Sequence, residues 1–256
     1  MGLRNRSAPH VTICPVGSRE DWESEAERWV EWARAPGHDA YWYYRESFFD
    51  EILPPPGRQT LELGCGEGRV ARDLVARAHR IVGIDISSSL LRHAKEADAT
   101  GRYVIGDATA LPFRDGAFDL VVAYNSLMDV DDMPAAVGEI GRVLEPGSRL
   151  AISVTHPLSD SGRFSGREPD APFVIEGSYL GTRRFEGTFE RNGLTMTFRG
   201  WCHPLEEYVR ALEDAGLVVE RVREPAASDA ALAAGGVSER SWSRIPMFLQ
   251  LLARKG

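Results

Sequence analysis

Several things are scarce in this sequence. Its 256 residues include only three cysteines, Cys14, Cys65 and Cys202, far apart and with no CxxC pair. Neither a zinc knuckle nor a redox dithiol is indicated, and an odd, small number of thiols fits a reducing cytoplasm. No apolar stretch approaches the roughly 18 residues needed to cross a bilayer. The opening MGLRNRSAPHVTICPVGSRE lacks the apolar core of a secretory signal. Met1-Gly2 begins like a myristoylation site, but Arg6 stands where that pattern needs Ser or Thr. Basic residues form no long run and the net charge is −8, so the concentrated positive footprint of a nucleic-acid binder is missing. No internal repeat is visible. These absences predict a cytoplasmic protein without membrane or nucleic-acid partners; a monomer or homodimer is the expected state.

What is present is an ordinary globular composition, 43% hydrophobic and 27% charged. The length allows one well-buried core with a modest insertion. DWESEAERWVEWARA places Trp22, Ala26, Trp29, Val30 and Ala33 at helical spacing before the Pro36-Gly37 break. AYWYYRESFFDEIL predicts a second helix, stopped by Pro54, Pro55 and Pro56. Tyr41, Tyr44 and Arg45 either join the core or face a pocket. An α/β rhythm then begins. Strands are predicted at QTLELG, RIVGIDI, RYVIGD, FDLVVAY and RLAISVTH. Between them, Val70, Ala71, Leu74, Val75 and Ala78 line one helical face, Ser87 caps SSLLRHAKEADA, and Pro134 opens PAAVGEIGRVL. Near-continuous apolar strands alternating with helices imply a parallel sheet covered on both faces. Residues 157–204 break the rhythm, and Asn192-Gly193 there suits the tight turn of a β-hairpin. PLEEYVRALEDAG resumes as a helix; LVVERVRE and PMFLQLLARK supply the last strands around an Ala/Gly/Ser-rich loop at 225–244.

The functional signal is LELGCGEGRV, residues 61–70, with Gly64, Gly66 and Gly68 between a strand and a helix. Glycines there permit unusual backbone angles and let a ligand lie against the chain; the alternative is a tight turn without a ligand. In an open parallel sheet, ligands bind at the carboxyl ends of the strands. The third glycine comes one residue early for the dinucleotide pattern GxGxxG. Asp85 ends the second strand, where a carboxylate can accept hydrogen bonds from both ribose hydroxyls. Asp107 ends the third, placed to read an adenine edge. Glu62 lies within the first strand, where a buried carboxylate needs partners.

LELGCGEG, VGIDIS, GDATALPFRDGAFDLVV and IGRVLEPGSRLAIS, in this order over about residues 57–155, resemble the class I S-adenosylmethionine-dependent methyltransferases, particularly their broad small-molecule branch. The tail resembles that family's last two strands, the final one antiparallel. The resemblance implies a Rossmann-like, doubly wound, seven-stranded α/β sheet, mostly parallel, with N-terminal helices and a β-hairpin insertion. With the elements read above, it divides the chain into four segments: a leader and helical cap at 1–53, a cofactor core at 54–156, an insertion at 157–204 forming a lid or dimer contact, and a completion of the core at 205–256. It implies S-adenosylmethionine as cofactor, leaving as S-adenosylhomocysteine. Gly64, Cys65 and Gly66 would lie beside its methionine part, with Glu62 steering polar groups nearby. Asp85 would hold the ribose, Ile86 would pack on adenine, Asp107 and Ala108 would meet the adenine edge, and Tyr124 would lie near the methyl's exit path.

The expected reaction moves a methyl group to a small organic acceptor, with a secondary metabolite as one expectation. His156, directly after the fifth strand, is the leading candidate base; its alternative is a loop histidine bonded to backbone. His203 and Tyr44 are further candidates. Asp129, Asp131 and Asp132 in SLMDVDD match no clear coordination pattern, so no metal is expected. The competing readings are an RNA or DNA methyltransferase and a non-catalytic cofactor-binding module. AYNS at 123–126 lacks the prolines of an NPPY-type base-methylating motif.

Overall fold

A computed structural model describes residues 17–166, 168–226 and 242–256. Most of the leader, including Cys14 and the Met1-Gly2 start, and the middle of the 225–244 loop lie outside the described residues.

Apolar runs become strands because both faces of the sheet are covered. β1 (Thr60–Leu63) is buried at every position, and β4 (Phe118–Tyr124) at all but one. With β2 (Ile81–Asp85), β3 (Tyr103–Ile105), β5 (Leu144–Thr155), β10 (Leu217–Arg223) and β11 (Phe248–Lys255) they form a seven-stranded sheet of order β10-β11-β5-β4-β1-β2-β3. β11 runs antiparallel to both β5 and β10; the remaining pairs are parallel. The expected Rossmann-like architecture is therefore the one observed. The order reverses between β1 and β4, the crevice where open α/β sheets bind ligands.

Local chemistry sets the helices. In α3 (Arg69–Ala76), Val70, Ala71 and Leu74 face the sheet. Val75, expected on that face, is instead 50% exposed, because it stands about 100° further round the helix than Leu74. Ser87 caps α4 (Ser88–Ala97), its Oγ accepting from the Leu90 amide at 3.2 Å. Asp132 caps α5 (Met133–Val143) through the Ala135 amide at 3.0 Å. After α7 (Leu205–Asp214), Gly216 takes φ +70° and donates its amide to the Glu213 carbonyl at 3.0 Å.

α1 (Ser18–Arg34) and α2 (Tyr41–Ser47), the latter continuing into a π-helical turn at Phe48–Ile52, lie before the sheet in sequence. After β5 comes a one-turn helix, α6 (Pro157–Asp160), and an unforeseen two-stranded pair, β6 (Gly162–Phe164) with β7 (Phe173–Ile175). The expected hairpin follows as β8 (Arg183–Arg191) and β9 (Leu194–Cys202), turning on Asn192 and Gly193 at φ +50° and +80°. Its Phe198 meets Trp29 and Trp32 of α1 edge-on at 6.1 and 5.8 Å. Arg184 of β8 pairs with Asp21 of α1 and with Asp131 after β4. Among the described residues, no helix is long and apolar enough to cross a membrane.

Gly83 of β2 sits under the ligand-side loop. A Cβ there would lie 2.9 Å from Cys65 Sγ and 2.9 Å from Tyr103 Cδ1. Gly83→Ala should therefore cost about 1–3 kcal/mol through overpacking. A lower urea midpoint at unchanged m-value would report it; an unchanged midpoint would contradict this packing.

Candidate active site

The β1–α3 turn shows why its three glycines are needed. Gly64, Gly66 and Gly68 have φ of +69°, +54° and +82°, left-handed values that side chains resist. At Gly64 a Cβ would also come 2.5 Å from Ser126 Cβ. The turn is anchored from two sides. Gly64 and Cys65 donate their amides to the Ile84 carbonyl at 2.8 and 3.0 Å, and Gly66 donates to Asp85 Oδ2 at 2.7 Å. The other Asp85 oxygen accepts from the Ser87 amide at 2.9 Å. Burial raises the Asp85 carboxyl's pKa, while the backbone donors of Ser87, Gly66 and Ile86 act against that rise.

Above the carboxyl ends of the strands lies a cavity of about 1280 Å³. That exceeds the roughly 300–1,000 Å³ of a one-ligand pocket and leaves room for a cofactor and an acceptor together. The structure brings all nine expected cofactor residues to its lining: Glu62, Gly64, Cys65 and Gly66 from the first turn, Asp85 and Ile86 from the second, Asp107 and Ala108 from the third, and Tyr124 from β4. Asp107 Oδ1 is occupied by the Thr109 amide and hydroxyl at 2.8 and 2.7 Å. Tyr124 packs against Tyr41 at 5.4 Å and Phe48 at 4.9 Å, and burial raises its phenol's pKa.

Glu62 is the most unusual of these. It is 2% exposed, and its Oε2 has no hydrogen-bond partner. Burial, reinforced by the charges of Asp85 and Glu67, holds its carboxyl well above the usual range, with Arg72 opposing. A buried carboxyl oxygen without a partner at the cavity wall fits a cofactor carrying an amino group. Glu67 differs: Arg34 and Arg72 hold it at 2.8 and 3.0 Å.

The three candidate catalytic residues lie outside the lining. His156 caps α6, its Nδ1 accepting from the Leu158 amide at 3.0 Å, and its Nε2 meets Glu224 at 2.8 Å. Both ring nitrogens are thus engaged, the backbone-bonded alternative for this residue. His203 Nδ1 meets the Thr182 hydroxyl at 3.1 Å, and its ring packs on Tyr208. Tyr44 is 1% exposed and packs on Phe248 at 5.1 Å. Of Tyr41, Tyr44 and Arg45, Tyr41 alone lines the cavity.

Other residues take the places the sequence left open. His38, Asp39 and Arg69 line the cavity beside the glycine turn, with Asp39 and Arg69 paired at 2.7 Å. Asp129 and Asp160 line it on the β4 and β5 side. Burial, with the charges of Asp85 and Asp160, lifts the Asp129 carboxyl well above normal. Burial pushes Asp160 to about 7 against the pull of Arg183, a value at which a carboxyl exchanges protons near neutral pH. Asp131 binds the Ser18 amide, Arg184 and the Trp201 indole, and Asp132 caps α5, so the acidic run SLMDVDD has separate structural tasks. Among the described residues no group of three or more His, Cys, Asp or Glu side chains is arranged to hold a metal ion.

α1 closes over this site. Glu23 accepts hydrogen bonds from the hydroxyls of Ser87, Ser88 and Ser89 at 2.6, 3.1 and 2.6 Å. The Ser87 and Ser89 bonds chiefly draw its carboxyl down to about 2. Arg19 donates to the Ile86 carbonyl at 3.0 Å.

Residues 61–152 match the family model described as a methyltransferase domain. The chain is 34% identical over 147 residues to a demethylmenaquinone methyltransferase of Beutenbergia cavernae, covering 57% of this chain and 56% of that protein. It is 32% identical over 108 residues to a malonyl-[acyl-carrier protein] O-methyltransferase of Erwinia pyrifoliae, covering 42% and 41%. The chain thus spans about half the length, or less, of these curated relatives. A crystal structure of an S-adenosylmethionine-dependent methyltransferase from Mesorhizobium loti superposes with a TM-score of 0.66 at 24% identity, covering 85% of this chain and 98% of that one. The fold is that of the class I S-adenosylmethionine-dependent methyltransferases. Residues 61–152 carry the likeness to a methyltransferase domain of that class, whose cofactor is S-adenosylmethionine.

Proposed function

We propose that this protein transfers the methyl group of S-adenosylmethionine to a small organic acceptor by in-line displacement. The observation that carries this reading is Glu62. Its open carboxylate oxygen stands beside three left-handed glycines at the wall of a cavity large enough for two ligands. In this reading Gly64, Cys65 and Gly66 line the methionine part and Glu62 takes its amino group. Asp85 accepts from the ribose hydroxyls, Ile86 covers the adenine face, and Asp107 and Ala108 meet its edge. Bound there, the cofactor supplies a methyl group already activated by its sulfonium.

The chain's own work is then placement and exclusion of water. Tyr124 and Tyr41 form an aromatic wall beside the glycine turn, suited to a positive charge through cation–π attraction. Holding the acceptor behind the methyl lowers the barrier by proximity. α1 and the insertion at 157–204 form the wall and lid of the acceptor side, which keeps water from the reaction. The aromatic lining from Trp22, Trp29, Trp32, Phe185, Phe189 and Phe198 favours an apolar acceptor, with a secondary-metabolite scaffold as the class. The relatives' names refer to a quinone precursor and a carrier-bound acid, both organic acceptors. Transfer to RNA or DNA gains no support from an acidic chain of net charge −8. We place the protein in the cytoplasm.

Isothermal titration with S-adenosylmethionine and, separately, NADH tests the cofactor. Binding of the former alone is expected; binding of NADH alone would refute the reading. Incubation with methyl-labelled S-adenosylmethionine and a cell extract, followed by mass spectrometry, should then yield a labelled small molecule. Cofactor binding without any labelled product would favour a non-catalytic module.

A further inference from the structure

The break between α1 and α2 places one histidine in the cavity. His38 is 3% exposed, and its Nε2 is buried without a hydrogen-bond partner. A polar ring atom buried unpaired at a cavity wall carries a penalty that a ligand can remove. An aromatic cluster lies beside it. Trp32 meets the imidazole edge-on at 4.3 Å, and Phe198 reaches Trp32 at 5.8 Å and Phe189 at 5.7 Å. The site lies next to the cofactor turn, because Asp39 pairs with Arg69 at 2.7 Å and Arg69 follows Gly68 directly. Trp29, which also touches Phe198, has its indole nitrogen 3.4 Å from where a Cβ on Gly66 would stand.

The charged groups acting on His38 are Asp39 from its own segment and Arg191 from the hairpin. Burial and the Arg191 charge lower the imidazole's pKa, outweighing Asp39. The ring is therefore neutral near pH 7, with a lone pair on Nε2 when Nδ1 carries its hydrogen. The Arg191 charge disfavours an ammonium ligand here and favours an oxygen that becomes negative, while Asp39 is paired with Arg69.

Resting on the methyl-transfer reading above, we propose that the acceptor is an aromatic compound bearing a hydroxyl group, held in the cavity against the Trp32–Phe198 pair with its O–H directed to Nε2 of His38. In the transfer an oxygen lone pair forms the O–CH3 bond, the C–S bond breaks with its electron pair going to sulfur, and the hydroxyl proton passes to Nε2. Sulfonium, alcohol and imidazole thereby become thioether, methyl ether and imidazolium. His38 is the catalytic residue of this step.

The probe is 4-nitrophenol, whose coloured anion reports its own ionisation, added to protein saturated with S-adenosylhomocysteine so that no turnover occurs. Bound to the wild-type protein it should ionise at least about one pH unit below the free compound, about a tenfold gain in anion at a given acidic pH. His38→Gln should retain S-adenosylhomocysteine and the probe but lose the gain. 4-Nitroaniline, of the same shape without the acidic hydroxyl, should bind more weakly than 4-nitrophenol. The proposal is overturned if the wild-type protein does not bind 4-nitrophenol, if the bound probe ionises as in free solution, if His38→Gln keeps the gain, or if 4-nitroaniline binds equally well. Should His38→Gln fail to fold, the wild-type spectrum and the nitroaniline comparison decide. Failure of the wild-type protein to bind S-adenosylhomocysteine would be a separate result, overturning the methyl-transfer reading itself.

Discussion

Replacing Asp85 with Asn is expected to weaken S-adenosylmethionine binding at least about a hundredfold. Asp85 is buried at the end of β2 and accepts the Gly66 and Ser87 amides, one on each oxygen. Each carboxylate oxygen has a further lone pair to offer, and two ribose hydroxyls are the donors expected. A charge-assisted hydrogen bond contributes about 1.5–3 kcal/mol, so two of them correspond to at least a hundredfold in affinity. Asn keeps the shape and one acceptor oxygen, but its NH2 opposes either the Gly66 or the Ser87 amide. Asp85→Ala should be worse still, because it also frees the glycine turn from β2. Calorimetric titration of both variants, with circular dichroism to confirm folding, reads the effect. A folded Asp85→Asn variant with affinity within about threefold of the wild type would remove Asp85 from the ribose site.

The sheet could be read from the sequence because its signals are local. DLVVA can only be buried on both faces, and Ser87, Pro134 and Asn192-Gly193 each announce an element boundary by their own backbone chemistry. The glycine turn was legible for the same reason: three glycines in five positions ask for backbone angles that the structure shows at all three. β6 and β7 escaped notice because three-residue strands leave no periodicity to detect. His156 illustrates a different limit. Its place after β5 is what the sequence suggests, yet the ring turns back to cap α6 and meets Glu224, a partner 68 residues away. The available clue was Pro157, which favours a helix's first turn and makes the residue before it the cap. His38 had no such clue. It follows a Pro-Gly break and lines the cavity beside Trp32, which itself packs on Phe198, 166 residues further along the chain. The docking of the hairpin on α1 is of this long-range kind, and residue spacing within either element says nothing of it.

Glu62→Gln should have opposite effects on the empty and the loaded protein. With its carboxyl raised well above the usual glutamate range by burial and by Asp85 and Glu67, Glu62 binds its proton more tightly folded than unfolded. Its contribution to stability is fully present below the unfolded value of about 4.5 and is lost as pH rises through the folded one. Ligand-free protein should therefore lose stability with rising pH on account of this residue, and Glu62→Gln, which has no proton to lose, should not. At pH 8 the variant should be more stable than the wild type by about 1–3 kcal/mol, the usual cost of an unsatisfied buried group. Binding reverses the order. The cofactor's ammonium would pair with the open oxygen and draw the carboxyl's pKa down, so the wild-type protein should release a proton on binding at pH values between the bound and the free titration of Glu62. Glu62→Gln should release none and should bind at least about tenfold more weakly. Calorimetric titrations in two buffers of different ionisation enthalpy measure the proton directly, and urea unfolding across the pH range measures the stability. Equal proton release by the two proteins would mean that Glu62 does not face the amino group, and the methionine end of the site would have to be placed elsewhere along the glycine turn.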